Sequence, residues 1–536
     1  MMRLFRRKTE EIGPLKVSIE RPSGIQALKL MISKERLEIK RRFLFLMLYL
    51  YSLTTFNVDT KAAYRFIGSL DVVLGPISKY FRKMDILVNK WGYKQDRACI
   101  ITAKLSPSLS FRRFLLRLAY NLNIGASFAE FVKVEYNKFM TDFDFYFQRT
   151  MDKLRIIADV YTALLDTAVI VSMTIVLASI LFGAINTYNI MILILTIILS
   201  SIFTALSLIK INIPIDIEHS HKLPRRPRKI RLLDSLSKKV LIAVSISSFL
   251  PAILAYTYLD NNQFIENTII YSGTIALIFI IPGAAAYILG YLGLQHISHI
   301  EKLDEIYPVF INTLGEAASL AGSLKEGLRR ILYNDYGSLT SYIRRLYYRL
   351  HMGIDRMTAW NLFGQETSSN LIYYLTMIFI YSVNQGAMVR KTALYIYDTS
   401  MRYRKRRQGR GQIANYFKGM ALPLQATFIA VLTLIVVLIG MFGKFASLIS
   451  KFIATIELPD LRLLLTFIYL LMAILAIGNA WAIYLLKGDS IYTFLFYLGI
   501  GLVMSGAIFF VMAAGSAELL SSFIRFQRGV QGVFGP

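Results

Sequence analysis

The stretch SMRYRKRRQGRGQ, residues 400–412, stands shortly before the apolar run ALPLQATFIAVLTLIVVLIGMFG, residues 421–443. The first stretch carries six Lys or Arg and no acid, and the second carries no charge. A helix needs about 20 apolar residues to cross the hydrocarbon core of a bilayer. A basic cluster beside such a run is typical of the cytoplasmic side of a membrane protein. The pair of segments therefore predicts a membrane-spanning helix with a basic cytoplasmic approach.

The composition of the whole chain agrees with this prediction. Of its 536 residues, 55% are hydrophobic, and the formal net charge is +27. The mean hydropathy is +0.49, which is too apolar for an ordinary soluble protein. A charge of this sign in a soluble protein would favour a nucleic-acid partner, whereas in a membrane protein it reflects basic cytoplasmic loops. A single cysteine, Cys99, excludes intramolecular disulfides and cysteine-based zinc clusters.

Seven runs are long and apolar enough to span a membrane, and none has a charge near its centre. They are residues 164–186, 189–209, 240–259, 268–294, 419–443, 463–486 and 491–514.

The loops between these runs set the predicted orientation. Residues 210–239 carry nine Lys or Arg against three acids, and residues 400–418 carry seven against none. The loops NTYN and DNNQFIEN contain no Lys or Arg. The positive-inside rule therefore places both basic segments, and with them the N-terminus, in the cytoplasm of a multi-pass plasma-membrane protein. Seven spans would put the C-terminus outside, but the C-terminal tail contains two arginines, so the sequence does not decide on which side of the membrane the C-terminus lies.

The two polar blocks, 1–163 and 295–418, have the three- and four-residue apolar spacing of helices. Gly125, Gly322 and Gly386 each follow one predicted helix and precede another, where a left-handed residue ends a helix. Ser127 with Glu130, and Ser323 with Glu326, have the spacing of capping boxes. The pattern predicts antiparallel helix pairs and a duplicated order of helical bundle, spans, bundle, spans. Phe43–Phe56, at about 14 residues, is too short for a span and is interpreted as a core helix of the first bundle.

This order resembles the type II secretion F-domain family, the polytopic platform proteins of type II secretion and type IV pilus machines. The resemblance rests on LRLAYNLNIGASFAEFVKVE at 116–135, FINTLGEAASLAGSLKEGLRRI at 310–331 and FGQETSSNLIYYLTMIFIYSVNQGAMVRKTA at 363–393. The length, the extra spans and SLTTFNVDTKAAYRF at 52–66 are more similar to the archaeal branch, which serves archaeal pili and the archaellum. The first helix pair departs from the pattern, because its turn lacks a glycine.

The resemblance implies an all-α fold with two cytoplasmic F-type bundles. The expected divisions are 1–42 as an N-terminal cytoplasmic segment, 43–163 as the first F domain, 164–209 as a transmembrane hairpin, 210–239 as a basic loop, 240–294 as a second hairpin, 295–418 as the second F domain, 419–514 as three transmembrane helices and 515–536 as a tail.

The resemblance also implies a function. Such a platform would anchor the filament base and couple a cytoplasmic hexameric secretion ATPase to the extraction and assembly of pilin or archaellin subunits. The sequence does not decide which filament is built, nor whether the platform forms a homodimer.

The chain contains no G-x-x-x-x-G-K-[ST] loop, no G-x-S-x-G elbow and no H-E-x-x-H motif. We therefore expect no enzymatic activity, no catalytic or metal-binding residues and no cofactor. A membrane subunit of a transporter driven by a separate ATPase is the alternative, but the spans lack the ionisable residues that a transport path needs.

The basic segments are the candidate contact sites. They could hold the ATPase or anionic lipid headgroups, each basic residue near the surface contributing about 1 kcal/mol to lipid attraction. Nucleic acid is not expected, because nothing else in the chain resembles a nucleic-acid-binding fold. The candidates are Arg402, Arg404, Lys405, Arg406, Arg407, Arg410, Arg225, Arg226, Arg228, Lys229 and Arg231.

Overall fold

The computed structural model describes residues 24–56, 58–182, 187–214, 216–221, 223, 228–258, 268–449 and 461–533. Within these ranges every regular element is helical, apart from one isolated antiparallel β-bridge between Ser220 and Ser369. Contacts divide the chain into two compact units. The first unit contains the chain up to Leu46 and Thr60–Ser127, and the second contains Met47–Asp59 and the chain from Phe128 onward.

The first unit is built from short amphipathic helices after the long α1. Its helices are α1 (Gly24–Leu53, up to Leu46), α2 (Thr60–Ser69), α3 (Asp71–Leu74), α4 (Pro76–Asn89), α5 (Gln95–Leu105) and α6 (Leu109–Asn123). Phe43, Phe111 and Phe114 meet in its core, with the rings of Phe43 and Phe114 at 5.8 Å and edge to face. Such pairs add about 0.5–1.5 kcal/mol beyond the area that they bury. The stretch Phe43–Phe56 was predicted as a core helix of the first bundle. Its residues 43–53 form the last part of α1, which already begins at Gly24, and its residues 54–56 form a turn.

The second unit contains much longer helices. They are α7 (Phe128–Phe182), α8 (Thr187–Asn212), α9 (Arg228–Ser247), α10 (Leu250–Tyr258), α11 (Thr268–Ala321), α12 (Leu324–Ile331), α13 (Thr340–His351), α14 (Arg356–Glu366), α15 (Asn370–Asn384), α16 (Val389–Ile449), α17 (Leu461–Lys487) and α18 (Ile491–Val533). At 1.5 Å per residue, α7, α11 and α16 are each about 80–90 Å long. Each of them combines a polar half with an apolar half.

Seven helical segments among the described residues are long and apolar enough to cross a membrane. They are Phe128–Thr174, Met191–Asn212, Ile230–Thr257, Ile269–Ala321, Val389–Ile439, Leu461–Lys487 and Ile491–Ser516. Each overlaps one run identified in the sequence, and the first of them includes residues 164–174 of the run 164–186. The protein is thus a polytopic all-α membrane protein, as predicted. Two features were not predicted. The helix of the third span is interrupted between Ser247 and Leu250, and the helices of several spans continue far beyond their apolar runs.

The membrane-spanning helices pack through small residues. The glycine-rich patch GTIALIFIIPGAAAYILG of α11 lies against α18 of the same chain. A Cβ at Gly290 would stand 2.5 Å from the backbone nitrogen of Phe496, and one at Gly499 would stand 2.5 Å from that of Tyr287. Only glycine permits this approach, which is how helices associate tightly in lipid. The patch therefore serves packing within the chain.

Candidate functional site

The basic segment that opened the sequence analysis lies within α16, in its polar half. Because 3.6 residues make one turn, its basic side chains point in several directions around the helix. Arg402 and Arg406 stand one turn apart and both reach Asp144 on α7, at 2.8 and 2.5 Å. The guanidinium of Arg406 also lies 4.1 Å from the centre of the Phe143 ring. Arg406 is only 8% exposed, so its charge is committed to the contact between α16 and α7.

A second pair of arginines reaches the polar half of α11. Arg404 contacts Glu305 at 2.7 Å, and Arg407 contacts the buried Asp304 at 2.6 Å. The hydroxyl of Ser369 donates to the same Asp304 carboxylate at 2.5 Å. Removing one partner of a buried ion pair leaves an uncompensated charge, at a cost of about 3–5 kcal/mol. The Arg407–Asp304 pair therefore holds α16, α11 and the start of α15 in one arrangement.

Arg410 binds the end of α17. Its Nε and Nη2 donate to the carbonyls of Leu486 and Leu485 at 3.2 and 3.0 Å. These carbonyls have no partner inside the helix and carry the negative end of its dipole. Gly488 has φ 65°, and a Cβ there would overlap the Arg410 guanidinium. A glycine is thus required at this helix end both by its backbone angle and by the arginine.

The remaining candidates differ in exposure. Lys405 is exposed and forms no ion pair with any residue that the structure describes, and Arg231 on α9 is also exposed. Arg225 and Arg226 lie outside the described residues, as do the side chains of Arg228 and Lys229. Among the described candidates, Arg406, Arg407 and Arg410 are therefore mostly buried in contacts within the fold, whereas Arg402, Lys405 and Arg231 are exposed.

The segment between the second and third spans is attached to the start of α15. The backbone N–H of His221 donates to the Ser368 carbonyl at 3.2 Å, and that of Asn370 donates to the His219 carbonyl at 3.1 Å. Ser368 has φ 59°, in the left-handed region that costs a non-glycine residue about 1–2 kcal/mol. Strain of this kind persists where the surroundings fix the backbone, and here the β-bridge and the Ser369–Asp304 hydrogen bond do so.

A cavity of about 700 Å³ lies beside this attachment. Most of the residues that line it are charged or polar, and they include Asp216, His219, Lys302, Arg404, Arg407, Arg410 and Lys487. His219 is 5% exposed, and its Nδ1 has no hydrogen-bond partner among the described residues. Burial, together with the nearby charges of Arg407, Arg410 and Lys487, lowers the pKa of His219 well below its usual range. The imidazole is therefore neutral at neutral pH.

A chain of buried polar side chains joins four of the apolar helices, and hydropathy gave no indication of it. The Tyr161 hydroxyl donates to Asn479 Oδ1 at 2.8 Å, and Asn479 Nδ2 donates to Gln425 Oε1 at 2.9 Å. Gln425 Nε2 in turn donates to Ser505 Oγ at 2.9 Å. Buried amides of this kind hold helices together in lipid. A signal was present in the sequence, because Gln425 and Asn479 are amides inside otherwise apolar runs.

The three turn glycines have left-handed backbones. Their φ angles are 72° at Gly125, 70° at Gly322 and 103° at Gly386. After Gly322, the Ser323 hydroxyl accepts a hydrogen bond from the Glu326 N–H at 3.2 Å and starts α12. Among the described residues, no group of three or more His, Cys, Asp or Glu is arranged to hold a metal ion.

The fold and these sites define a multi-pass membrane protein whose long helices continue from the apolar spans into an ion-paired polar part. The chain is similar to flagella accessory protein J of Methanocaldococcus jannaschii, with 28% identity over 358 residues, 66% of this chain and 61% of that protein. It is also similar to flagella accessory protein J of Methanococcus voltae, with 24% identity over 413 residues, 76% of this chain and 70% of that protein. The match to the first relative thus spans less than two thirds of its length. No family model matches the chain, and no solved structure matches it.

Proposed function

We propose that this chain is the membrane platform of a type IV filament machine of the archaellum type. It would anchor the filament base and couple a cytoplasmic hexameric ATPase to the extraction and assembly of filament subunits. The observation that carries the proposal is the similarity to two flagella accessory proteins J, which extends over 66% and 76% of this chain. The platform would make and break no bonds, so its role would be mechanical.

The long helices support such a role. In α7, α11 and α16, a polar half continues into an apolar span without a break in the helix. A helix without internal proline, such as α7, bends only gently. The other two helices contain internal prolines at which a helix can kink, Pro282 and Pro308 in α11 and Pro423 in α16. A force applied to the polar halves would therefore displace the spans, and the ion pairs of Asp144 and Asp304 would move α16 together with α7 and α11.

The outward-facing basic residues are the proposed contact surface for the ATPase or for lipid headgroups. Lys405 and Arg231 belong to it, and we include Arg225, Arg226, Arg228 and Lys229 from the same basic loop. The positive-inside rule places this surface and the N-terminus in the cytoplasm. Arg402 and Arg404, whose side chains are 43% and 31% exposed, would also belong to this surface. The mostly buried Arg406, Arg407 and Arg410 would act indirectly, by holding the helices that carry the surface.

The transporter alternative receives little support from the described residues. The side chains of Tyr161, Asn479, Gln425 and Ser505 hydrogen-bond to one another, and their amides and hydroxyls carry no charge at neutral pH, whereas a transport path usually needs ionisable groups. The cavity beside Gln425 and Asn479 has a volume of about 10 Å³, which is close to the space of one water molecule. Such a cavity offers no path for a solute.

The test uses the full chain in detergent, because cutting at residues 295 and 418 would divide α11 and α16. The chain is mixed with the secretion-type ATPase of the same genome, and co-purification and ATPase rate are measured at 0.1 and 1 M salt. Surface charges are screened over about 10 Å at the lower concentration and about 3 Å at the higher. We expect binding that weakens in high salt and a changed ATPase rate.

The double variant Lys405→Glu with Arg231→Glu tests the contact surface, with Lys405→Arg and Arg231→Lys as the charge-preserving control. The reversal is expected to weaken binding at least fivefold, and the control to leave it within twofold. Absence of binding at either salt concentration, with an unchanged ATPase rate, would refute the platform proposal. If the charge-reversal variant binds the ATPase as strongly as the wild type, only the assignment of these basic residues as the contact surface is refuted.

A further inference from the structure

A second, more open cavity of about 460 Å³ lies on the outer side of α11. Tyr291, Gln295, His299 and Lys302 contribute to its lining. They follow one another at intervals of three or four residues, so they lie on one face of the helix. All four side chains are exposed, and the cavity is therefore accessible from outside the protein.

Two apolar runs fix the level of this cavity relative to the membrane. The apolar run of α11 ends at residue 294, and that of α18 begins at residue 491. The two helices meet near these ends, because a Cβ at Gly290 would stand 2.5 Å from the backbone nitrogen of Phe496. Phe496 itself lines the cavity. The cavity therefore lies where the spans leave the hydrocarbon and where lipid headgroups are found.

The end of the cavity nearer the spans is apolar. It is formed by Tyr291, Leu294 and Phe496. The ring of Phe496 stacks on that of Tyr287, one turn before Tyr291, with the ring centroids 5.0 Å apart. Tyr287 and Tyr291 are 40% and 48% exposed, as expected of aromatic residues in the interfacial belt of a membrane protein. This end of the cavity therefore continues the lipid-facing side of the span.

The other end of the cavity carries a positive charge. Its described lining contains Lys302 and no acidic residue. Lys302 also lines the larger cavity described above, but four of the five acidic residues there pair with other basic side chains. The fifth, Glu301, forms no ion pair with Lys302, and neither does any other described residue. The ammonium of Lys302 is thus not neutralised within the part of the chain that the structure describes.

Hydrogen-bond donors surround this charge. An ammonium has three N–H donors, an imidazole has at least one and a glutamine amide has two. The side chains of Lys302, His299 and Gln295 form no hydrogen bond with any described residue. Side chains of a helix lean towards its N-terminus, which in α11 is the membrane side, so Lys302 leans towards the level of His299. The short 3-10 turn Gly337–Leu339 adds the hydroxyl of Ser338 to the lining.

We propose that this cavity binds the headgroup of an anionic phospholipid. Lys302 neutralises the phosphodiester, His299 and Gln295 donate hydrogen bonds to its oxygens, and the glycerol and first methylenes lie on Tyr291 and Phe496. A lipid fits better than a free phosphate, because one end of the lining is apolar and continues the lipid-facing side of the span. The positive-inside rule assigns this level to the cytoplasmic leaflet, where anionic lipids give a negative surface potential. The site does not depend on the ATPase contact proposed above.

The test uses the delipidated full chain in a nonionic detergent. It is titrated with short-chain phosphatidylglycerol or with short-chain phosphatidylcholine, and native mass spectrometry counts the lipids that stay bound. Both headgroups contain a phosphodiester, but only phosphatidylglycerol has a net negative charge. We expect the first phosphatidylglycerol to bind at least fivefold more tightly than phosphatidylcholine. Equal affinities for the two lipids would overturn the assignment of an anionic headgroup.

Three substitutions test the role of Lys302. Lys302→Gln should lower the affinity for phosphatidylglycerol at least fivefold, and the charge-preserving Lys302→Arg should bind within twofold of the wild type. Lys391→Gln is the matched control, because Lys391 is exposed and forms no ion pair with a described residue. It precedes the apolar run of α16 by about 45 Å of helix. This control should also bind within twofold of the wild type.

Ser338→Phe tests the cavity independently of its charge, because the larger side chain fills it from the side of the 3-10 turn. It should lower the affinity for phosphatidylglycerol at least fivefold, with circular dichroism and gel filtration establishing that each variant is folded. Equal weakening by Lys302→Gln and Lys391→Gln would overturn the proposal, since the attraction would then depend only on total charge. Unchanged binding in both Lys302→Gln and Ser338→Phe would overturn it as well, because the lipid would then bind elsewhere.

Discussion

The hydroxyl of Thr55 accepts a hydrogen bond from the backbone N–H of Met388 at 3.0 Å, although 333 residues separate them in the chain. The ring of Phe56 lies close by, 3.8 Å from the position that a Cβ at Gly386 would take. The turn after α1 and the turn before α16 therefore meet. These are turns of two helix pairs that the sequence analysis assigned to separate halves of the chain.

Thr55→Val should destabilise the protein by about 1 kcal/mol, because the partly buried Met388 N–H loses its acceptor while the shape of the side chain is preserved. The measurement is the thermal unfolding of the full chain in detergent. Thr141→Val is the control, since the exposed Thr141 hydroxyl bonds only to a carbonyl of its own helix, at 3.0 Å. Equal effects of the two substitutions would contradict a specific role for the Thr55–Met388 contact.

The stability effects of substitutions at Asn479 and Gln425, which hydrogen-bond to each other between the spans, should be coupled. Asn479→Leu leaves the Tyr161 hydroxyl and the Gln425 Oε1 without their partner, so it should cost about 1–3 kcal/mol. The double variant Asn479→Leu with Gln425→Leu should cost less than the sum of the single variants, because both ends of the Asn479–Gln425 bond are removed. The unfolding midpoints of the wild type, the two single variants and the double variant form a double-mutant cycle. We expect it to give a coupling free energy between Asn479 and Gln425 of about 0.6–1.7 kcal/mol. Additive costs would show that the two amides act separately.

His219 should make stability depend on pH. The folded-state pKa of His219 is lowered by burial and by Arg407, Arg410 and Lys487, so the unfolded chain binds the proton more readily. The stability contributed by neutral His219 is therefore fully present above about pH 6.5, the ordinary value, and is lost as the pH falls below it. At one unit below that value the loss is about 1.4 kcal/mol.

The measurement compares unfolding midpoints of the wild type and His219→Gln between pH 7.5 and 5.5. The wild type should lose stability relative to the variant as the pH falls. His351→Gln serves as the control, because His351 is exposed at the end of α13. Parallel curves for the wild type and His219→Gln would rule out the proposed titration.

Cys99 should report the opening of the first unit. Its thiol is buried and contacts the Tyr64 hydroxyl at 3.1 Å, and burial raises its pKa to about 12. Because the thiolate is the reactive form, the native protein should react very slowly with a disulfide reagent at pH 8. Denaturant should release one reactive thiol per chain. Rapid labelling of the native protein, at the rate of a free thiol, would show that this core is open.

The spans could be predicted because hydropathy is a local property, and each of the seven candidate segments overlaps one apolar run. The turn glycines were also visible locally, since a helix stop leaves its signal within a few residues. The ion-pair partners of the arginines could not be predicted from the sequence. Arg404 and Glu305 are 99 residues apart, and Arg406 and Asp144 are 262 apart. A charge run has the same appearance whether its partners lie in solvent, in another protein or in a distant helix of the same chain.

The boundaries of the long helices were missed for a related reason. Hydropathy marks where a helix meets lipid, but α16 continues through the basic segment because Arg, Lys and Gln are good helix formers. The attachment of Ser220 to Ser369 likewise joins segments whose sequences carry no common pattern.

The most direct test of the central claim is to delete the gene in its source organism and to image the cell surface by electron microscopy. The account predicts that surface filaments disappear while the filament subunits remain in the membrane fraction. A plasmid-borne copy of the wild-type gene should restore the filaments. Filaments of normal number and length in the deletion strain would contradict the role of this chain as the assembly platform.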